Sequence, residues 1–184
     1  MAMHSIDAPT RYAAPSHPPV AATDTPVLEV SGLNVEFSLL SGATNRAIRD
    51  FDITLAPGEI FGLIGEGGSG KTVLARALLN YVRDPGRFAS GTLKFEGEDI
   101  THATEKRMQK LRGSHMSLIA ANPRGELNPI KPVGEQIARM ARIHLKLSKA
   151  KARALALDML KAVQIPDPER RYEAFPHELS GGMA

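Results

Sequence analysis

The sequence predicts a mixed α/β fold in which strands come first and helices follow. Alternating apolar and polar residues, typical of strands, recur through the first part of the chain, whereas residues beyond 130 show the three-to-four-residue spacing of amphipathic helices. A glycine-rich loop at residues 65–72 lies between a short apolar run and a helical pattern, as in a strand–loop–helix unit. We therefore expect an α/β core with a helical segment appended after residue 130.

Five segments are predicted strands. Residues 27–37 and 47–55 alternate between apolar and polar side chains, and Gly32 is expected to form a turn or bulge in the first of them. The nearly continuous apolar run EIFGLIG, residues 59–65, is typical of a strand covered on both faces. Two further strands are predicted in GTLKFEG and HMSLIAA, at residues 91–97 and 115–121.

Four segments are predicted helices, at residues 71–82, 104–111, 133–145 and 148–165. In the last of them Leu155, Met159 and Val163 share one face, and basic residues occupy the other. The start of this helix carries a basic cluster that we interpret as a solvated face, with contact to anionic lipid or a partner as the alternative. The cluster consists of Lys146, Lys149, Lys151 and Arg153.

The first 26 residues differ from the rest, because they are rich in proline and alanine and lack apolar periodicity. They contain no hydrophobic region of a secretory signal. We predict a disordered leader, and a short partner-binding arm is the alternative.

The composition restricts the possible chemistry. The chain has no cysteine, which excludes disulfides, thiolate zinc sites and cysteine nucleophiles, and its six histidines are scattered without metal-ligand spacing. A formal net charge of +3 is too small and too dispersed to indicate a nucleic-acid partner. No apolar run approaches the length of a membrane span, so we expect any membrane association to be peripheral.

The segment GEGGSGKT fits the phosphate-binding pattern G-x-x-x-x-G-K-[ST]. Glycines let such a loop turn its backbone N–H groups toward phosphate oxygens, and the following helix adds the positive end of its dipole. The lysine supplies a positive charge to the β and γ phosphates, and the threonine hydroxyl is a ligand for Mg²⁺. The predicted phosphate-binding residues are Gly65, Glu66, Gly67, Gly68, Ser69, Gly70, Lys71 and Thr72.

A second motif, LSGGM at residues 179–183, lies about a hundred residues downstream of the phosphate loop. Together the two motifs resemble the nucleotide-binding subunits of ABC transporters, in which LSGG is the family signature. The segments LNP, VGEQIA and PHELSGGM, at residues 127–129, 133–138 and 176–183, resemble the ATPase subunits of bacterial dipeptide and oligopeptide importers. The resemblance covers the chain from about residue 27 to its last residue.

This resemblance implies a P-loop NTPase core of the ABC type with an N-terminal antiparallel β region and an α-helical subdomain. The core would span residues 27–121, and the helical subdomain would span 122–184 and end in the signature motif. Phe37 would stack on the adenine of ATP, although a core aromatic at a strand end is the alternative. The γ-phosphate of ATP held by an opposite subunit would be contacted by Ser180, Gly181 and Gly182.

The implied partners are a second ATPase subunit, transmembrane permease subunits and, indirectly, a solute-binding protein. The implied ligands are ATP and Mg²⁺, and the implied location is the cytoplasmic face of a bacterial inner membrane. A nucleotide-binding module without turnover and a soluble ABC protein acting on nucleic acid are the alternative functions, although the modest charge and the importer-type segments argue against the latter.

The sequence departs from the family pattern at a position where the family carries a glutamine that contacts Mg²⁺ and the attacking water. Aligning Pro123 places Ala121 at that position and Asn122 at the acidic position that follows. An alanine cannot ligate a metal ion. Either Asn122 substitutes through its amide, or the site is weakened, or the loop is merely variable in this branch.

A second departure is that the sequence ends just after the signature motif. The family's aspartate strand, catalytic glutamate and switch histidine follow that motif, so we expect a fragment that hydrolyses ATP poorly. The absent strand would pair with residues 59–65, and an apolar strand edge left exposed there is a predicted aggregation site.

Overall fold

The computed structural model describes residues 25–183, so most of the predicted leader at 1–26 lies outside the described residues. The chain forms four strands and six α-helices within this range, and a single 3₁₀ turn follows the last helix at Pro176–Glu178. The strands are β1 (Leu28–Ser38), β2 (Thr44–Leu55), β3 (Gly86–Phe95) and β4 (Glu98–Asp99). The helices are α1 (Lys71–Leu78), α2 (Glu105–Leu111), α3 (Pro123–Glu126), α4 (Val133–His144), α5 (Lys149–Ala162) and α6 (Pro168–Glu173).

The strands form one antiparallel sheet in the order β2-β1-β3-β4. This arrangement confirms the predicted N-terminal antiparallel region and the strands predicted at 27–37, 47–55 and 91–97. The pairing of β1 shifts register between Val30 and Leu33, where Gly32 has a φ of 57°. A bulge at this position agrees with the prediction from the sequence.

The larger hydrophobic core lies between the sheet and helices α1 and α2. Leu33, Val35 and Leu93 from the sheet are fully buried there, together with Leu74 of α1 and Met108 of α2. The helix α1 is shorter than predicted and ends at Leu78, because Asn80 adopts a positive φ of 47° and the carbonyl of Arg76 accepts the Tyr81 N–H.

Helices α4, α5 and α6 pack around a second, smaller core. The predicted apolar face of α5 was wrong at two of its three positions. Met159 and Val163 are 45% and 69% exposed, whereas Leu155 is half-buried and packs against this core. The buried face of α5 instead carries Ala152, Ala156 and Leu160. Small alanines let three helices approach closely, which a face of larger side chains does not allow. No helix among residues 25–183 is both long and apolar enough to cross a membrane.

Two predicted strands were wrong as hydrogen-bonded strands. Residues 59–64 and 117–120 form no ladder within residues 25–183, and the only pairing near the second segment is an isolated bridge between Arg112 and Met116. Their apolar side chains face solvent, with Ile60, Ile64 and Ile119 more than 90% exposed. Both sequences are apolar enough for a buried strand, but a strand forms only where a neighbouring strand supplies its hydrogen bonds.

The sheet carries one buried carboxylate, on Glu36 of β1, which is only 8% exposed. It accepts hydrogen bonds from Arg46 Nε of β2 at 3.0 Å and from Arg87 Nη2 of β3 at 3.2 Å. The side chains of both arginines are more than 60% exposed. Glu36 therefore ties the two neighbouring strands to β1.

We expect Glu36→Ala to lower the free energy of unfolding by about 1–2 kcal/mol, because both charged hydrogen bonds are lost while the exposed arginines remain solvated. Arg46→Ala and Arg87→Ala should each cost less, since Glu36 keeps one partner in either variant. Urea denaturation of the three variants checks this order, and a cost for Glu36→Ala below that of either arginine variant contradicts it.

Candidate functional site

The glycine-rich loop lies directly before α1 and packs beside β2. Its glycine Gly70 is the N-cap residue of α1, with a left-handed φ of 93° and no side-chain hydrogen bond to the helix start. The first turn of α1 contains no acidic residue. The backbone N–H groups of this turn, with no capping side chain to accept from them, form the positive end of a helix dipole, which favours an anion.

The lysine of the loop folds back into it. Lys71 Nζ donates to the carbonyl oxygens of Gly65 and Glu66, both at 2.6 Å, and to Ser69 Oγ at 3.3 Å. The ammonium group therefore lies at the centre of the loop, next to the start of α1. An anion held by the loop would meet a positive charge and a set of N–H donors at one place.

The loop borders a cavity of about 250 Å³ whose opposite wall is β2. Lys71, Gly65 and Ser69 line the cavity from the loop, and Arg49 lines it from β2. Arg49 adds a second positive charge to this cavity. Sequence reasoning missed it, because an exposed arginine on a strand belongs to no phosphate-binding motif and only the packing of the loop against β2 brings it here.

The other predicted loop residues are accessible. Thr72 is exposed in the first turn of α1, so its hydroxyl is open to a ligand. The remaining loop residues that are exposed are Gly65, Glu66, Gly67, Gly68 and Ser69. The structure thus brings the whole motif together at one accessible surface.

The predicted adenine contact, Phe37, lies apart from this cavity. Its ring is half-buried at the end of β1 and packs against Gly86, where an added Cβ would lie 2.6 Å from the ring. It lines a different cavity, of about 390 Å³, with Val73 and Arg76 of α1. The structure therefore separates Phe37 from the lining of the phosphate-loop cavity.

The segment that departs from the family pattern follows residues 117–120, which form no strand. Ala121 is exposed, and the side-chain oxygen of Asn122 accepts a hydrogen bond from Gly125 N–H at 3.4 Å as the N-cap of α3. Arg76 of α1 donates to Glu126 at 2.9 Å. This ion pair links the helix that follows the phosphate loop to the Asn122 segment, a connection that no sequence pattern indicated.

The signature segment is anchored at one end and open at the other. Leu179 is 5% exposed, and its carbonyl oxygen accepts a hydrogen bond from Arg124. Ser180, Gly181 and Gly182 are exposed, and the Met183 N–H donates to the Ser180 carbonyl at 3.1 Å in a tight turn. None of these signature residues lines the phosphate-loop cavity of the same chain.

The sequence matches the family described as ABC transporter over residues 48–184, which is most of the chain. It is 41% identical over 160 residues to the oligopeptide transport ATP-binding protein OppD of Bacillus subtilis, covering 86% of this chain and 44% of that protein. It is 37% identical over 158 residues to the dipeptide transport ATP-binding protein DppD of Escherichia coli, covering 86% of this chain and 48% of that protein. The chain thus spans about half the length of the curated relatives it matches.

Two solved structures share the fold at low sequence identity. One is an ATP-binding cassette in a dimeric post-hydrolysis state bound to ADP and phosphate, with a TM-score of 0.69 and 16% identity over 85% of this chain and 64% of that chain. The other is a dimeric bacterial ABC transporter cassette, with a TM-score of 0.70 and 17% identity over the same shares. Both structural neighbours are cassettes that were solved as dimers.

Proposed function

Because the chain belongs to the ABC transporter family, we propose that it supplies the nucleotide-binding loop and signature segment of an ATPase subunit that drives import of peptides or similarly small solutes. The observation that carries this proposal is the placement of Lys71 Nζ at the centre of a glycine loop, directly before a helix start that has no capping side chain. That arrangement supplies both the charge and the N–H donors that a triphosphate needs.

The residues of the loop would have different roles in binding MgATP. Lys71 would exchange its carbonyl acceptors for the β and γ phosphate oxygens, which are stronger acceptors because they are charged. Thr72 is open to solvent and would place its hydroxyl on Mg²⁺. Arg49, across the cavity, would add charge without a fixed hydrogen bond.

The signature segment would act on a nucleotide held by another subunit. Ser180, Gly181 and Gly182 are exposed, and buried Leu179 fixes where they begin. A γ-phosphate contacted from two subunits favours the closed pair of subunits. Loss of the γ-phosphate on hydrolysis would allow the two subunits to separate. We propose a homo- or heterodimer docked on permease subunits at the cytoplasmic face of a bacterial inner membrane, with the solute delivered by a separate binding protein.

Ala121 and Asn122 support a second candidate, a subunit that binds nucleotide but turns it over slowly. Ala121 has no group that could contact Mg²⁺ or water, and the Asn122 oxygen is used at the start of α3. The residues from 121 to 126 would then transmit the state of α1 through the Arg76–Glu126 ion pair rather than orient a water molecule.

We expect Lys71→Ala to weaken MgATP binding by about 10- to 100-fold, the effect of losing one charge-assisted hydrogen bond of about 1.5–3 kcal/mol. Titration calorimetry of the chain measures this change. Lys106→Ala is the matched control, because Lys106 is an exposed lysine of α2 outside the phosphate-loop cavity. Equal affinities of both variants and the parent would contradict a phosphate role for the loop.

The same substitution tests the transport function in the organism that carries the gene. Lys71→Ala should abolish uptake of a labelled dipeptide while uptake of the free amino acids continues. Ala121→Gln in the full-length protein separates the two candidates, since a rise in phosphate release after this substitution favours the slow-turnover subunit. Normal dipeptide uptake by the variant would reject the importer assignment.

A further inference from the structure

A basic groove lies in the helical part of the chain, away from the phosphate loop. It has a volume of about 890 Å³, within the range of small-molecule sites, and it shares no residue with the phosphate-loop cavity. Six charged side chains line it, namely Lys131, Glu135, Arg139, Arg142, Lys146 and Lys149. Five of them are cationic and one is anionic, so the groove carries a formal excess of four positive charges.

The position of these charges follows from the helix. Glu135, Arg139 and Arg142 are separated by four and three residues, so they lie along one face of α4. Lys146 continues this row just past the helix end, and Lys149 begins α5 across the groove. The basic cluster predicted at 146–153 is thus divided by the structure, with its first two lysines in the groove.

The five cations lack partners that would neutralise them. Within residues 25–183, none of their side chains takes part in a salt bridge or a side-chain hydrogen bond, whereas Arg153 pairs with Glu173 at 2.7 Å and Lys161 pairs with Glu169 at 3.2 Å. The carboxylates of Glu169 and Glu173 on α6 are therefore used elsewhere. Positive charges that line a concave surface produce a strong positive potential inside it, and this potential attracts an anion.

The floor of the groove is apolar. Ala138 and Tyr172 are buried beneath it, and Leu147 is half-buried. The Tyr172 ring is held by the Arg153 guanidinium, which lies 4.2 Å from its centroid. Such a floor excludes water from one side of a ligand and strengthens its charge interactions with the cationic walls.

We propose that this groove is a binding site for a soluble compound that carries two or more phosphate groups. Arginine and lysine side chains are the usual phosphate ligands, and few small ligands other than polyphosphates carry four negative charges in this volume. The concave shape favours a compound over a flat lipid surface. The proposal is independent of nucleotide binding at the phosphate loop.

The test uses tripolyphosphate as the probe, at about 0.15 M salt so that long-range attraction is screened. The chain carries Lys71→Ala in every arm, which weakens the competing phosphate loop. We expect binding to persist in this background and to weaken at least about tenfold in R139E/R142E, since each arginine supplies charge-assisted hydrogen bonds. Glu135→Gln should strengthen binding a few-fold, because it removes from the groove a negative charge that repels the anionic ligand.

The matched control is K151E/R170E, which changes the net charge equally at exposed positions outside the groove. Its affinity for tripolyphosphate should stay within about twofold of the parent, as expected for distant surface charges. Circular dichroism verifies that each variant is folded, and Arg139→Gln with Arg142→Gln replaces the charge reversal if that variant unfolds.

Three outcomes would overturn the proposal. The first is no binding of tripolyphosphate in the Lys71→Ala background, and the second is equal weakening by the groove and control pairs. The third is groove-dependent binding to vesicles of phosphatidylglycerol without binding of soluble tripolyphosphate, which would make the groove a membrane contact. The Lys71-dependent part of MgATP binding should be unaffected by R139E/R142E, so failure here is distinguishable from failure of the proposed function.

Discussion

Gly134→Ala should destabilise the chain, although alanine is the better helix former. Gly134 is buried in the first turn of α4, and a Cβ at this position would lie 2.1 Å from both Cγ and Cδ2 of the Tyr172 ring. Contacts this short force one element to move. Helix propensity would favour alanine by about 1 kcal/mol, whereas overpacking a buried site costs typically 1–3 kcal/mol and at times more.

The ring cannot turn away at low cost, which decides the sign of the effect. Tyr172 is 4% exposed and lies under the Arg153 guanidinium. The backbone at the adjacent position is fixed as well, since Val133 N–H donates to the Ala174 carbonyl at 2.8 Å. We therefore expect a net loss of about 2 kcal/mol or more in the free energy of unfolding, measured by urea denaturation.

A double-mutant cycle with Tyr172→Ala isolates the steric cause. In the Tyr172→Ala background the ring is gone, so Gly134→Ala should be neutral or stabilising by up to about 1 kcal/mol, its helix-propensity value. If Gly134→Ala costs the same in both backgrounds, the contact with the ring is not the reason for the loss.

The phosphate loop was predictable from sequence because its chemistry is local. The glycines, Lys71 and the helix start are contiguous in the chain, and the hydrogen bonds of Lys71 to Gly65 and Glu66 span only five or six residues. Strands β1 and β2 were predictable for a similar reason, since apolar and polar side chains alternate along their consecutive residues.

Features that depend on distant residues were not predictable. Residues 59–64 have the pattern of a buried strand, but pairing is a property of neighbours, and within residues 25–183 none pairs with them. The prediction for the inner face of α5 was wrong at Met159 and Val163, which were chosen for their hydrophobicity. The close approach of three helices instead buries Ala152 and Ala156. The basic groove likewise requires α4 and α5 to meet, which spacing along one helix cannot indicate.

Three glycines of the phosphate loop should differ in their tolerance of alanine, in the order Gly67, Gly68, Gly70. At Gly67 the φ is not left-handed, and no atom lies within 4 Å of an added Cβ. Gly68 has a φ of 80° with the same open space, so alanine there is strained in its backbone alone. Gly70 has a φ of 93°, and its added Cβ would also lie 2.7 Å from the Ala47 carbonyl oxygen of β2.

We expect Gly67→Ala to change the free energy of unfolding by less than about 0.5 kcal/mol, and Gly68→Ala to lower it by about 1–2 kcal/mol through left-handed strain. Gly70→Ala adds the clash with β2 to that strain and should cost about 3 kcal/mol. It should also abolish MgATP binding, because relieving the clash displaces the N-cap of α1 and with it the N–H groups that face the phosphates. Urea denaturation without nucleotide measures the change in the free energy of unfolding for each of the three variants. Equal losses at Gly68 and Gly70 would show that backbone strain alone, and not contact with β2, makes glycine necessary at the start of α1.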